Sequence, residues 1–147
     1  MSKTINYIKN SLNSGGKIIF FGNGGSASDS QHLCAEFVGR YKKNRDPLPA
    51  ISLNTDTSIL TAVANDISYD EIFSFQLSKF ANKGDILLSV SSSGNSPNII
   101  KAIEMAKELN VTSISFVGFE GGKAKEISDF CLHVPSNNYG ICEDAHH

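Results

Sequence analysis

The chain has 147 residues, 40% of them hydrophobic and 19% charged, which is the length of a single domain and enough apolar side chain to bury a core. Its 13 basic and 15 acidic residues leave a formal net charge of -2, so no general field draws nucleic acid or an anionic membrane, and any anion must be caught locally. Cys34, Cys131 and Cys142 lack C-x-x-C spacing and read as free thiols of a reducing compartment. With no signal peptide in the first residues and no apolar run near ~18 residues, a cytoplasmic protein without a membrane partner is expected.

In chain order, Ile5, Ile8 and Leu12 stand at helical spacing and predict a short amphipathic helix ending near Gly15-Gly16. Lys17-Ile18-Ile19-Phe20-Phe21 reads as a buried strand running into Gly22-Asn23-Gly24-Gly25, a turn whose glycines allow exposed N–H groups. Ser26 with Asp29 forms a Ser-x-x-Asp capping box, so a helix is expected from about Ala27 to Tyr41, with Leu33, Phe37, Val38 and Tyr41 as its core stripe. Its amino end points at whatever lies over the glycines, and phosphate is the usual occupant. Ser28, His32 and Glu36, each four apart, share one side of that helix.

Arg40, Lys42, Lys43 and Arg45 follow as a solvated basic end that complements the helix dipole. After Pro47 and Pro49, Ala50 to Leu53 is a second strand. Asn54-Thr55-Asp56 is a turn and cap ahead of Ile59, Leu60 and Val63, and a further helix is predicted over Tyr69 to Phe80. Ile86-Leu87-Leu88-Ser89-Val90 is apolar enough to be buried on both faces. It leads into Ser91-Ser92-Ser93-Gly94-Asn95-Ser96, where Ser96 is a natural N-cap with Pro97 at the first helical position. Ile99 to Leu109 continue that helix, Val111 to Val117 form strand four, a short helix is placed near Lys123 to Ser128, and Phe130 to Val134 form strand five. Strands alternating with helices predict an α/β fold, a five-stranded parallel sheet covered on both faces, with ligands beyond the carboxyl ends of the strands.

Each glycine and serine loop is weak evidence by itself, because turns and caps explain such residues. The five serines between Ser89 and Ser96 exceed what capping requires, and hydroxyls with amides and no lysine suit a phosphate monoester. The Gly-x-x-x-x-Gly-Lys-Ser/Thr pattern is absent, which disfavours a kinase or ATPase. A dinucleotide site would fit Gly22 to Ala27 loosely, but its acid, Asp56, falls about thirty residues on rather than about twenty. His32 and Glu36 can supply two zinc ligands, or a general base with a neighbouring shuttle, or a plain exposed pair. His133, within an apolar strand, reads as a satisfied histidine. The cluster Glu143, Asp144, His146 and His147 reads as a site or helix cut short, or as a polar tail.

Phe21-Gly22-Asn23-Gly24-Gly25-Ser26, Gln31-His32, Ala35 to Tyr41, Ala64-Asn65-Asp66 and Ser91 to Ser96 together resemble the sugar isomerase (SIS) domain, and specifically its phosphoheptose isomerases. The resemblance covers nearly the whole chain and implies a flavodoxin-like three-layer sandwich and a homotetramer with active sites between subunits. It implies conversion of sedoheptulose 7-phosphate to D-glycero-D-manno-heptose 7-phosphate for bacterial lipopolysaccharide or capsule. By matching positions, Asn23, Gly24, Gly25, Ser26, Ser91, Ser92, Ser93 and Ser96 hold the sugar phosphate, and Glu36 is the base. Arg40, Asn65 and Asp66 touch substrate or support the site. The same resemblance implies one zinc ion per subunit on His32, Glu36 and a C-terminal glutamine whose place is taken by Glu143. A partner histidine falls at position 151, beyond His147, so a truncated SIS domain over residues 1–147 is expected. Relatives that act as non-catalytic scaffolds for a replication initiator are the alternative, and arabinose 5-phosphate specificity is a third.

Overall fold

The computed structural model describes residues 2–40 and 42–146; Tyr41 and His147, both singled out above, lie outside the described residues. Five strands, β1 (Ile18–Gly22), β2 (Ala50–Ser52), β3 (Ile86–Ser91), β4 (Thr112–Val117) and β5 (Phe130–His133), pair in the order β2-β1-β3-β4-β5. Every pairing is parallel, with Ile18 opposite both Ala50 and Ile86, and Ile86 opposite Thr112. This is a doubly wound sheet whose order reverses at β1 and β3, where the crevice of such folds opens.

Successive side chains of a strand face opposite ways, so β1 builds two cores at once. Ile19 and Phe21 join Leu87, Phe73, Leu77, Ile99 and Ile103 on one face, covered by α3 (Thr57–Asp66), α4 (Ile72–Phe80), α5 (Pro97–Glu108) and α6 (Gly122–Ile127). Ile18 and Phe20 join Ile86, Leu88 and Ile114 on the other, beneath α1 (Ser2–Asn13) and α2 (Gly25–Val38), which contribute Ile8, Leu12, Leu33, Cys34 and Phe37. Phe21 meets Phe73 edge-on with ring centres 5.0 Å apart. Both β1 and β3 are buried along their whole lengths, as unbroken apolar runs require.

Several details depart from the sequence reading. α2 begins at Gly25 rather than Ala27, entered through Gly24 at φ 60, a left-handed angle that suits glycine. Ser26 is therefore inside the first turn, and no side chain caps the helix. The Ser26 and Asp29 capping box does not form. Val38 is 45% exposed, because one residue past Phe37 turns about 100° around the helix and away from the sheet. Ile5 is 44% exposed, since the start of α1 meets the sheet through Tyr7, whose ring packs on Phe130. The helix expected from Tyr69 starts as a 3-10 turn, Tyr69–Glu71, capped by the Ser68 hydroxyl, and becomes α-helical at Ile72. The last helix, α7, runs Tyr139–His146 and packs beside α2. The three cysteines are free. Among the described residues no helix is long and apolar enough to cross a membrane.

Candidate active site

The loops after β1 and β3 lie side by side at the carboxyl edge of the sheet, because those two strands are neighbours in register. Between them opens a cavity of about 170 Å³ lined by Asn23, Ser26, Val90, Ser91, Ser92, Ser93, Ser96, Tyr139 and Glu143. Among the described residues no lysine or arginine lines it. Two helices begin there, and neither is capped by its own side chain: Gly24 precedes α2, and Ser96, correctly placed as N-cap with Pro97 following, makes no capping bond. Ala27 and Ile99 already donate to the Gly24 and Ser96 carbonyls and Pro97 has no N–H, so the N–H groups of Gly25, Ser26 and Asn98 and the Ser96 hydroxyl are left for a ligand, with the positive ends of two helix dipoles behind them. Gly94 is held at φ 64 with its α-carbon directly against the Gly121 carbonyl, a fit that excludes a side chain.

Hydroxyl geometry completes the cradle. Ser91 Oγ accepts the Gly94 N–H at 3.2 Å and Ser93 Oγ accepts the Asn95 N–H at 3.3 Å, which leaves each hydroxyl hydrogen free to donate. Ser92 Oγ is buried and has no hydrogen-bond partner among the described residues. Ser89, counted with this cluster from the sequence, belongs elsewhere: it is fully buried and bonds Ser115 across the sheet at 2.7 Å. Asn54 grips Gly22 on both sides, accepting its N–H at 3.1 Å and donating to its carbonyl at 2.9 Å, which fixes the exit of β1. Asp56, the acid a dinucleotide site would use for ribose, is instead the N-cap of α3 and accepts from Ile59 N–H at 3.0 Å.

Glu143 lines this cavity, whereas His32, Glu36, Arg40, Asn65 and Asp66 do not. His32 and Glu36 pair on the outer side of α2, Nε2 to Oε1 3.1 Å. Glu36 lines a second cavity, of about 320 Å³, with Phe37, Lys42, Lys43, Arg45 and Leu48. Ten residues of helix, about 15 Å of axis, separate Glu36 from Ser26. Arg40 is exposed and donates to Asn44, and Asn65 donates to Asp66 at the exposed end of α3. Arg45 is more than a solvated charge: its guanidinium donates to the carbonyls of Glu36 (2.7 Å) and Phe37 (2.9 Å) and so closes the end of α2. Glu143 lies over the start of α2, its Oε1 3.2 Å from where a Gly25 Cβ would stand. The expected metal trio is therefore not brought together. Among the described residues no three histidine, cysteine, aspartate or glutamate side chains are placed to hold a metal ion.

Of the C-terminal cluster, Glu143, Asp144 and His146 stand on the helix α7 rather than in a tail. His146 is 4% exposed, its Nε2 lies 3.2 Å from the Val117 carbonyl, and its ring rests against Phe116. Burial pushes its pKa below the usual histidine range, while the Val117 carbonyl and the Asp29 and Glu143 carboxylates pull it back. His146 Nδ1 and Asp29 Oδ2 are both buried without partners among the described residues. His133 bonds the Phe119 carbonyl at 2.8 Å and Lys125 at 3.2 Å, a satisfied histidine as expected. Tyr139 and Asn98, which reading the sequence did not single out, reach the cavity or its lining residues across 40 or more positions, so no local spacing could have marked them.

Comparison with known proteins points the same way. Residues 1–118 match the SIS domain family model. The chain is 52% identical over 136 residues to a phosphoheptose isomerase of Rhodospirillum rubrum, covering 92% of this chain and 72% of that protein. It is 47% identical over 146 residues to a phosphoheptose isomerase of Helicobacter pylori, covering 99% and 76%. Among solved structures, a phosphoheptose isomerase from Francisella tularensis superposes with a TM-score of 0.95 at 34% identity, over 99% of this chain and 78% of that one. One from Neisseria gonorrhoeae gives 0.92 at 37%, over 99% and 77%.

Proposed function

This chain belongs to the SIS domain family, and from that premise we propose that it isomerises D-sedoheptulose 7-phosphate to D-glycero-D-manno-heptose 7-phosphate, the heptose that supplies bacterial surface polysaccharide. The observation that carries this reading is the cradle itself. Two uncapped helix starts, the Ser91 and Ser93 hydroxyls that line the cavity and the unpartnered Ser92 Oγ converge on one cavity without a cation, which suits a phosphate held by hydrogen bonds.

Isomerisation moves the C1 proton of the ketose to C2 through an enediol, while a proton passes from the C1 hydroxyl to the C2 oxygen. The phosphate is an anchor and takes no part. We assign the carbon-to-carbon transfer to the Glu36 carboxylate, with His32 holding it at 3.1 Å. Arg45 fixes the backbone from which Glu36 projects. Because Glu36 does not line the serine cavity of its own chain, we place the working site between copies, in a homotetramer. Val38, 45% exposed at the end of α2, and Tyr139, 59% exposed at the cavity mouth, supply apolar surface for that contact.

Zinc fits only in part. His32 and Glu36 offer two donors, Glu143 stands apart, and no proton in this account passes through a metal. The test is Glu36→Gln in the full chain. Turnover is expected to fall by about 10²–10⁴-fold, the usual contribution of a positioned base, with binding of phosphorylated sugar retained. Turnover at the original rate removes Glu36 from the role of base.

A further inference from the structure

Asn98 is the second residue of α5, 1% exposed, and lies behind the cavity. Its amide meets that of Asn23 in a reciprocal pair: Asn98 Nδ2 donates to Asn23 Oδ1 at 2.9 Å, and Asn23 Nδ2 donates to Asn98 Oδ1 at 2.8 Å. The Tyr69 hydroxyl donates to the same Asn23 Oδ1 at 3.3 Å. A carboxamide carries two acceptor lone pairs and two N–H donors. Both lone pairs of Asn23 are therefore occupied, and one of its two N–H groups is used. What remains is a single N–H donor, on a residue that lines the cavity.

We propose that Asn98 is a positioning residue which orients the Asn23 amide so that it presents a donor, and no acceptor, to a bound phosphate. The proposal rests on reading the serine cavity as the phosphate site. Without Asn98, the Asn23 amide turns about its last torsion and can set its oxygen against the anion, which repels it. The same pair spans 75 residues and ties the loop after β1 to the helix after β3. The two halves of the cradle thus keep one spacing whether or not a ligand is bound. Tyr69, whose hydroxyl completes the Asn23 acceptor set, brings the turn before α4 into this arrangement.

The test is titration of inorganic phosphate into the full chain, followed by phosphorus NMR, for the unmodified protein, Asn23→Ala, Asn98→Ala and the double variant. A hydrogen bond to a charged group carries enough energy that each single change is expected to weaken phosphate binding about tenfold or more. The double variant should bind no more weakly than Asn23→Ala, since Asn98 acts only through Asn23. Asn98→Asp gives a readout that a packing role would not move. It keeps the side-chain volume but can only accept, so affinity should drop and then recover as the introduced carboxyl protonates on acidification. If Asn98→Ala fails to fold, Tyr69→Phe takes its place in the cycle, with a smaller loss that vanishes in the Asn23→Ala background. Additive losses, or an Asn98→Asp protein that binds phosphate normally, overturn the proposal while leaving the phosphate site standing. An unmodified chain that does not bind phosphate overturns both.

Discussion

At the amino ends of the strands, Asp85 and Asp129 hold backbone and side-chain donors. Asp85, 4% exposed, accepts the backbone N–H groups of Lys17 (2.9 Å) and Asn82 (2.7 Å) and pairs with the Lys17 ammonium. Asp129 accepts both the N–H and the hydroxyl of Ser113. At the carboxyl ends the pattern reverses: Ser92 Oγ, Asp29 Oδ2 and His146 Nδ1 are buried without partners among the described residues, and two helices start uncapped. Unmet polar groups cost stability, roughly 1–3 kcal/mol each, so their concentration at one edge marks where binding rather than folding sets the residue choice. One edge holds the fold together and the other is left open to a ligand.

The comparison is broken most severely at Asp85. Asp85→Ala strands the Lys17 and Asn82 amides and should lower unfolding free energy by about 3 kcal/mol, read from urea denaturation. Phosphate affinity should stay within about twofold, because the two edges are too far apart to couple. Next comes the opposite experiment. Ser91→Ala with Ser93→Ala removes two hydroxyl donors that line the cavity and should weaken binding of phosphorylated sugars about tenfold or more, while unphosphorylated sugars bind as before. Equal losses for both ligand types would mean that these hydroxyls do not hold the phosphate.

The smallest effect is pH-dependent and sharpens the contrast. Burial holds the folded-state pKa of His146 below its ordinary 6.5, so folding favours the neutral ring despite the neighbouring Asp29 and Glu143 carboxylates. In the unfolded chain the imidazole takes up its proton near the ordinary value. Stability is therefore fully present above about pH 6.5 and declines as pH falls from there toward the folded value. Urea midpoints between pH 7.5 and 5.5 should show this decline, and His146→Asn should remove part of it. An unchanged slope would exclude His146 as its source.

Much of this was legible in the sequence. The five strands follow from unbroken apolar runs at β1 and β3, and their alternation with helices dictates a parallel sheet whose ligand edge is carboxyl-terminal. The serine loop was legible because its hydroxyls exceed what capping uses. The start of α2 was not: a Ser-x-x-Asp pattern describes a capping box, yet Gly24 can enter the helix at φ 60 two residues sooner, an option open to glycine and invisible to the pattern. The separation of Glu36 from the serine cavity was also hidden. Spacing of four puts Ser28, His32 and Glu36 on one side of a helix but says nothing about which neighbour that side faces. The Asn23 and Asn98 pair, like the Asn54 grip on Gly22, joins residues far apart in the chain and exists only once the sheet has brought their loops together.

The central claim is that the open edge holds a phosphorylated seven-carbon sugar for proton transfer between C1 and C2. Its most direct test is proton NMR of sedoheptulose 7-phosphate incubated with the protein in deuterium oxide. The account predicts an aldose signal growing in, with deuterium entering at the carbon that receives the proton whenever the enediol exchanges with solvent. Broadening of the ketose resonances with neither aldose nor exchange would contradict it, leaving a phosphosugar-binding protein in place of an isomerase.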